Sequence, residues 1–141
     1  MKPQVTVEVL IDAPVEKVWQ YWTLPEHIVK WCFASDDWCA PKAENDVRTG
    51  GNFKTRMEAR DGSVGFDLEG NYTAVEENKR MEYTLIGDDE RKVSVEFKEE
   101  NGGCRVIEIF DPEDTNPLEM QQNGWQAILN NFKKYIEALK G

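Results

Sequence analysis

Trp125-Gln126-Ala127-Ile128-Leu129-Asn130-Asn131-Phe132-Lys133-Lys134-Tyr135-Ile136-Glu137-Ala138-Leu139 is the stretch that decides the fold. Trp125, Ile128, Leu129, Phe132, Tyr135, Ile136 and Leu139 recur at the i, i+3, i+4, i+7 spacing of one helical face. Gln126, Asn130, Lys133, Lys134, Glu137 and Lys140 fall on the opposite face. Upstream, Asn116 suits a cap, Pro117 the first helical position, and Glu119 the carboxylate of a capping box. Lys133, Lys134 and Lys140 lie towards the end, where cations complement the helix dipole. The spacing predicts one helix from Asn116 to Gly141, roughly 36 Å long at 1.5 Å per residue. So large an apolar face has to be covered by the rest of the chain. Gly124 interrupts it, at a cost of about 1 kcal/mol relative to alanine. Close helix-to-sheet packing is the ordinary reason for such a glycine; room for a ligand beside Trp125 is the other.

What precedes the helix reads mostly as strands. Val5, Val7, Val9 and Ile11 alternate with Thr6 and Glu8 in a first strand. After Pro14 the period changes. Val15, Val18, Trp19 and Trp22 mark a short helix that stops at Thr23-Leu24-Pro25, and Pro25 to Lys30 makes a second one. From Cys32 to Asp46 no period is evident, so Trp38 is expected on a loop from Cys32 to Pro41, as a lid over a cavity mouth or a plug at the core's edge. Beyond Gly50-Gly51, alternating runs at Phe53–Ala59, Phe66–Tyr72, Met81–Leu85, Val93–Phe97 and Cys104–Phe110 are separated by turns at Asp61-Gly62, Glu77-Asn78, Gly87-Asp88-Asp89 and Asn101-Gly102-Gly103. With a short strand near Asp46 to Arg48, about seven antiparallel strands form a meander with one apolar face. Such a sheet followed by one long amphipathic helix is an α+β arrangement in which the sheet curls around the helix and the two short helices close one end.

Size and charge narrow the partners. The chain has 141 residues, enough for a single domain over 1–141 with a core and a cavity. Its net charge of −10 and pI near 4.6 argue against nucleic acid, whose phosphates need a basic surface. No run approaches the roughly 20 apolar residues of a membrane span, and no signal-peptide pattern opens the chain. Cys32, Cys39 and Cys104 are odd in number and lack a C-x-x-C pair, which suits a reducing cytoplasm.

Chemistry of the catalytic kind is thinly represented. His27 is the one histidine and has no nucleophile beside it; a solvated or capping role is expected. His27, Cys32 and Cys39 do not have the spacing of a zinc site, and no glycine loop precedes a helix to cradle phosphate, so no metal and no cofactor is expected. Cys104 is expected to pack as a small apolar group. Glu58, Asp67 and Glu69 alternate with core positions and are expected on the outer face, paired at little gain with Lys54 or Arg56. Glu108 differs. If Cys104, Val106 and Phe110 face inward, period two turns Glu108 inward with them. Ile107 and Ile109 permit the opposite register, which would turn it out. Buried without a partner, Glu108 would bind a cation or a polar ligand group, or stay protonated.

A family resemblance accompanies these readings. Ala13-Pro14, Val18-Trp19, Trp22-Thr23, Pro25-Glu26 and Trp31 are similar to the opening of the START-like helix-grip superfamily, also called SRPBCC. Gly50-Gly51-x-Phe53, Met57 with Asp61-Gly62, Gly70-x-Tyr72 and Gly124-Trp125 with Leu129 extend the likeness over the whole chain. It is nearest the activator of heat-shock protein 90 ATPase homologue branch. The resemblance implies a deep cavity between the curved sheet and the last helix. Three readings follow. The first is binding of a small hydrophobic or amphipathic molecule, with Trp22, Trp38, Phe66, Tyr83 and Trp125 as walls and Glu108 as polar anchor. The second, from the resemblance alone, is a module that activates a chaperone ATPase. The third, an enzyme of the cyclase or hydrolase kind using a cavity acid, is the weakest.

Overall fold

A computed structural model of the chain describes residues 4–86, 90–114 and 116–140. Among them are seven strands and three helices. In chain order they are β1 (Val5–Ile11), α1 (Val15–Thr23), α2 (Pro25–Trp31), β2 (Trp38–Asn45), β3 (Asn52–Ala59), β4 (Gly65–Glu76), β5 (Arg80–Leu85), β6 (Arg91–Glu100), β7 (Gly103–Phe110) and α3 (Leu118–Lys140). The strands form one antiparallel sheet in the order β1-β7-β6-β5-β4-β3-β2. This is the α+β arrangement expected from the pattern, and the helix-grip fold that the resemblance implies. The hairpins follow their turn residues: Asn101 (φ 52°) and Gly102 (φ 83°) both adopt the left-handed region that a two-residue hairpin loop demands. The turn expected at Gly87-Asp88-Asp89 lies outside the described residues.

The core is built where the periods place it. Val93, Val95 and Phe97 of β6 and Cys104, Val106 and Phe110 of β7 are buried under Leu129, Phe132 and Ile136 of α3. The Phe132 ring meets Trp22 edge-on at 4.9 Å and Trp31 at 4.6 Å between centroids, which locks both short helices to α3. On the outer face, Arg56 pairs with Glu58 and Asp67, and Lys54 with Asp67.

Several expectations are corrected. The second strand is Trp38–Asn45, not a short one near Asp46 to Arg48, so Trp38 belongs to a regular element. Its alternation is broken by a register shift between Cys39 and Lys42, around Pro41. An edge strand tolerates a proline, which offers no N–H to the ladder. The start of α3 is not a capping box: the Asn116 side-chain amide donates to Glu113. The buried Gln121 fixes the approach instead, donating to the carbonyls of Glu113 and Asn116 and accepting from the Glu113 N–H. Leu139, expected on the buried face, is exposed in the last turn.

The face of α3 expected in water has a structural use. β1 is a sheet edge whose outward carbonyls need partners. Gln122 donates to the Thr6 carbonyl, Gln126 to that of Glu8, and Lys133 to that of Leu10 at 2.6 Å, while the Glu137 carboxylate accepts from the Asp12 N–H. One polar side of α3 is therefore fastened along the edge strand, which fixes the position of its apolar side over the sheet.

Candidate functional site

Between α3 and the concave face of the sheet lies a cavity of about 590 Å³. Trp22, Trp38, Phe66, Tyr83, Glu108 and Trp125 all border it. Trp22 comes from α1, where it lies against Trp31 at 4.9 Å. Tyr83 is brought by β5 into an aromatic wall with Phe53 of β3 and Tyr72 of β4, the Phe53 ring standing edge-on to Tyr83 at 4.8 Å. Gly70 makes this wall possible, because a Cβ there would run into the Phe53 ring. Trp125 stacks on Phe110 at 3.9 Å and 11° between ring planes. Trp38 and Phe66 stand 6.1 Å apart at the rim. Phe66 is 47% exposed and Met120 61%, so these apolar lining residues mark the mouth.

Glu108 is the one buried carboxyl among the described residues. It is paired across β7 with Val7 of β1 and Val95 of β6, and only 5% of its surface is exposed. Among the described residues none forms a hydrogen bond or ion pair with its carboxylate. Burial alone pushes its pKa up to about 8. Burial, and then the Glu108 charge, push the Cys32 thiol up to about 12. The same two causes, in the same order, hold the Tyr83 phenol well above its ordinary value. The group is thus a carboxylic acid that is mostly protonated at neutral pH. It can donate to a ligand, or ionise against a cation.

Gly124 does not serve close packing. A Cβ built on it meets nothing within 4 Å, and the residue lines the cavity. Trp38 is not on a free lid. Its backbone pairs with Ala59 of β3, its N–H donates to the Ser35 carbonyl, and Arg60 ties Asp36 and Asp37 to the end of β3. His27 is half-buried and does not cap α2: its Nδ1 shares a 2.7 Å hydrogen bond with the Tyr135 hydroxyl, and its ring lies edge-on to Tyr21.

The sequence reading missed Trp31, Cys32, Phe53 and Tyr72 as lining residues. Phe53 and Tyr72 were recoverable from their inward strand positions. The Tyr72 hydroxyl donates to Asn45, whose side chain donates to the Thr23 carbonyl, so β4, β2 and α1 are tied beside the cavity. Cys32, Cys39 and Cys104 are free thiols, and Cys104 is fully buried. No group of three or more His, Cys, Asp or Glu residues placed to hold a metal occurs among the described residues. None of the described helices is long and apolar enough to cross a membrane.

Comparison with known proteins places this geometry among relatives. A solution structure of an AHSA1-like protein from Aeromonas hydrophila is 41% identical, with a TM-score of 0.90 over 98% of this chain and 94% of that one. A solution structure from Cytophaga hutchinsonii is 51% identical, with a TM-score of 0.82 over 96% of this chain and 92% of that one. A crystal structure from Chromobacterium violaceum, 22% identical, shares the fold at a TM-score of 0.86, covering 97% and 99% of the two chains. Among curated proteins none matches. The family model for activator of Hsp90 ATPase homolog 1-like proteins matches residues 12–137, and the chain belongs to that family.

Proposed function

We propose that this protein binds a small hydrophobic or amphipathic molecule in the cavity between the curled sheet and α3. Trp22, Trp38, Phe66, Tyr83 and Trp125 serve as walls and Glu108 as the polar anchor. The observation that carries the reading is a space of about 590 Å³, of the size that takes drug-sized ligands, holding among aromatic rings a buried carboxyl with no partner among the described residues. A solidly packed interaction module has no need of such a space. Native mass spectrometry of freshly purified protein tests it, with an adduct of small mass as the expected result. Protein that arrives empty and whose tryptophan fluorescence is unmoved by a panel of apolar compounds would overturn it.

Activation of a chaperone ATPase is a second reading, supported by the family's description alone. ATP turnover by the chaperone, measured with and without this protein, tests it directly. An enzyme would draw on the same Glu108 as its acid, and turnover that survives Glu108→Gln would dismiss that role.

A further inference from the structure

We infer that the occupant of this cavity is an amphipathic amine, bound with its ammonium against Glu108 and its apolar part among the rings. The inference rests on the ligand-binding reading above and names the ligand's chemical class. Three features of the cavity select that class.

The first is the buried carboxyl in the lining. The Glu108 carboxyl faces the cavity with no protein partner among the described residues, so a ligand's polar group is what can satisfy it. The second is the absence of a built-in counter-charge. Arg91 is the one cationic side chain among the described lining residues. It stands at the first position of β6, two residues before the Val93 row, and leaves no mark on Glu108, whose shift arises from burial alone. A fatty acid or phosphate head placed at Glu108 would therefore meet a carboxyl with no cation of the described residues beside it. The third is the wall. Four tryptophans, two phenylalanines and two tyrosines line the space, and their ring faces carry the negative side of the aromatic quadrupole. Rings around a carboxylate make a surround that favours a cation over a neutral head of equal size. The net charge of −10 adds a long-range bias of the same sign.

Binding such a ligand has a proton signature. In the free protein Glu108 holds its proton up to about pH 8. Against an ammonium it ionises, and the proton leaves to the buffer. Affinity for an amine therefore rises about tenfold per pH unit up to about 8 and then levels. The titratable groups facing Glu108 are Cys32 from the end of α2 and Tyr83 of β5. Both titrate far above that range, so neither confuses the slope. Val7 and Val95 flank it on β1 and β6 and do not titrate.

The test uses decylamine, decanol and decanoate, which share one apolar chain. Calorimetry and tryptophan fluorescence are run from pH 6 to 9 in about 0.5 M salt, where attraction to the acidic surface is screened. Decylamine is expected to bind one per chain, at least tenfold tighter than decanol, with decanoate weaker still. Its affinity should climb towards pH 8, and Glu108→Gln should bring decylamine down to the affinity of decanol or below and flatten its dependence on pH. Should that variant fail to fold, the slope and the released proton in the unaltered protein decide the matter. Decanol or decanoate binding as tightly as the amine, or amine affinity flat with pH, overturns the inference and leaves the ligand-binding reading standing. If none of the three binds, both fall.

Discussion

Replacing Glu108 by glutamine removes a titrating group from the floor of the cavity while keeping its shape. The consequence can be worked from burial. The side chain is 5% exposed, and burial alone moves its pKa from 4.5 to about 8. An acid whose folded pKa is raised favours folding most where both states are protonated, below the unfolded value. As pH rises past about 4.5 the unfolded chain releases this proton and the folded one does not, so stability falls at roughly 1.4 kcal/mol per pH unit. The fall ends near pH 8, where the folded state ionises too, with a total of about 5 kcal/mol lost. Glutamine has no such term. Glu108→Gln and the unaltered protein should therefore differ little at pH 4, and by about 3 kcal/mol in favour of the variant at pH 7. The gap should stop growing above about pH 8. Urea unfolding of ligand-free protein across pH 4–9 measures it, and the difference between the two proteins cancels the carboxylates they share, such as Glu100, held low chiefly by its hydrogen bond from Arg105. A variant less stable at pH 7 would mean that Glu108 is ionised and paired in the folded protein, and a gap that does not vary with pH would mean that folding does not raise its pKa.

Three more outcomes are expected. Phe132→Ala should cost about 3–5 kcal/mol in denaturant unfolding, because the ring is fully buried between Trp22 and Trp31; a loss below about 1 kcal/mol would contradict that packing. Gly124→Ala should stabilise by about 1 kcal/mol, since the new Cβ meets open space and the helix gains propensity; a drop in melting temperature would restore close packing as the glycine's reason. Hydrogen exchange should separate the short link at residues 33–37 from the strand that follows. The Trp38 amide, bonded to Ser35, should be slower than those of Ala34 and Asp36, and exchange as fast throughout to Ala40 would instead make the segment a lid.

What the sequence made legible depended on whether a side chain's surroundings follow from period alone. Phe132 and Leu129 were placed correctly because a helix of this length keeps one face on the sheet for many turns. For Glu108 period two left both registers open, because Ile107 and Ile109 suit a core as well as Val106 and Phe110 do; the burial of Cys104, Val106 and Phe110 is what decides for the inward one. β2 escaped because the shift at Cys39–Lys42 breaks its alternation. The fastening of α3 escaped for another reason. Gln122, Gln126 and Lys133 look the same in sequence whether they bond water or the carbonyls of an edge strand. Gly124 also has two causes that composition cannot separate; only the space beside it decides.

The persistence of the cavity follows from how the helix is held. α3 is fastened on one side by Gln122, Gln126, Lys133 and Glu137 along β1, and it stacks Trp125 on Phe110 of the neighbouring β7. The far edge of the sheet is held independently: α2 packs on β2, and Asn45 bonds the end of α1. For the gap between these supports to collapse, either the bonds along β1 or those at β2 must be given up. Bulk could fill it instead, but the positions that face it include Cys32, Thr55 and Gly124, all small. Larger side chains there would add buried apolar area at roughly 25 cal/mol per Å², so stability alone would favour them. Their absence, beside a carboxyl without a partner among the described residues, is what a site for an exchangeable occupant requires and what a core built for stability would lack.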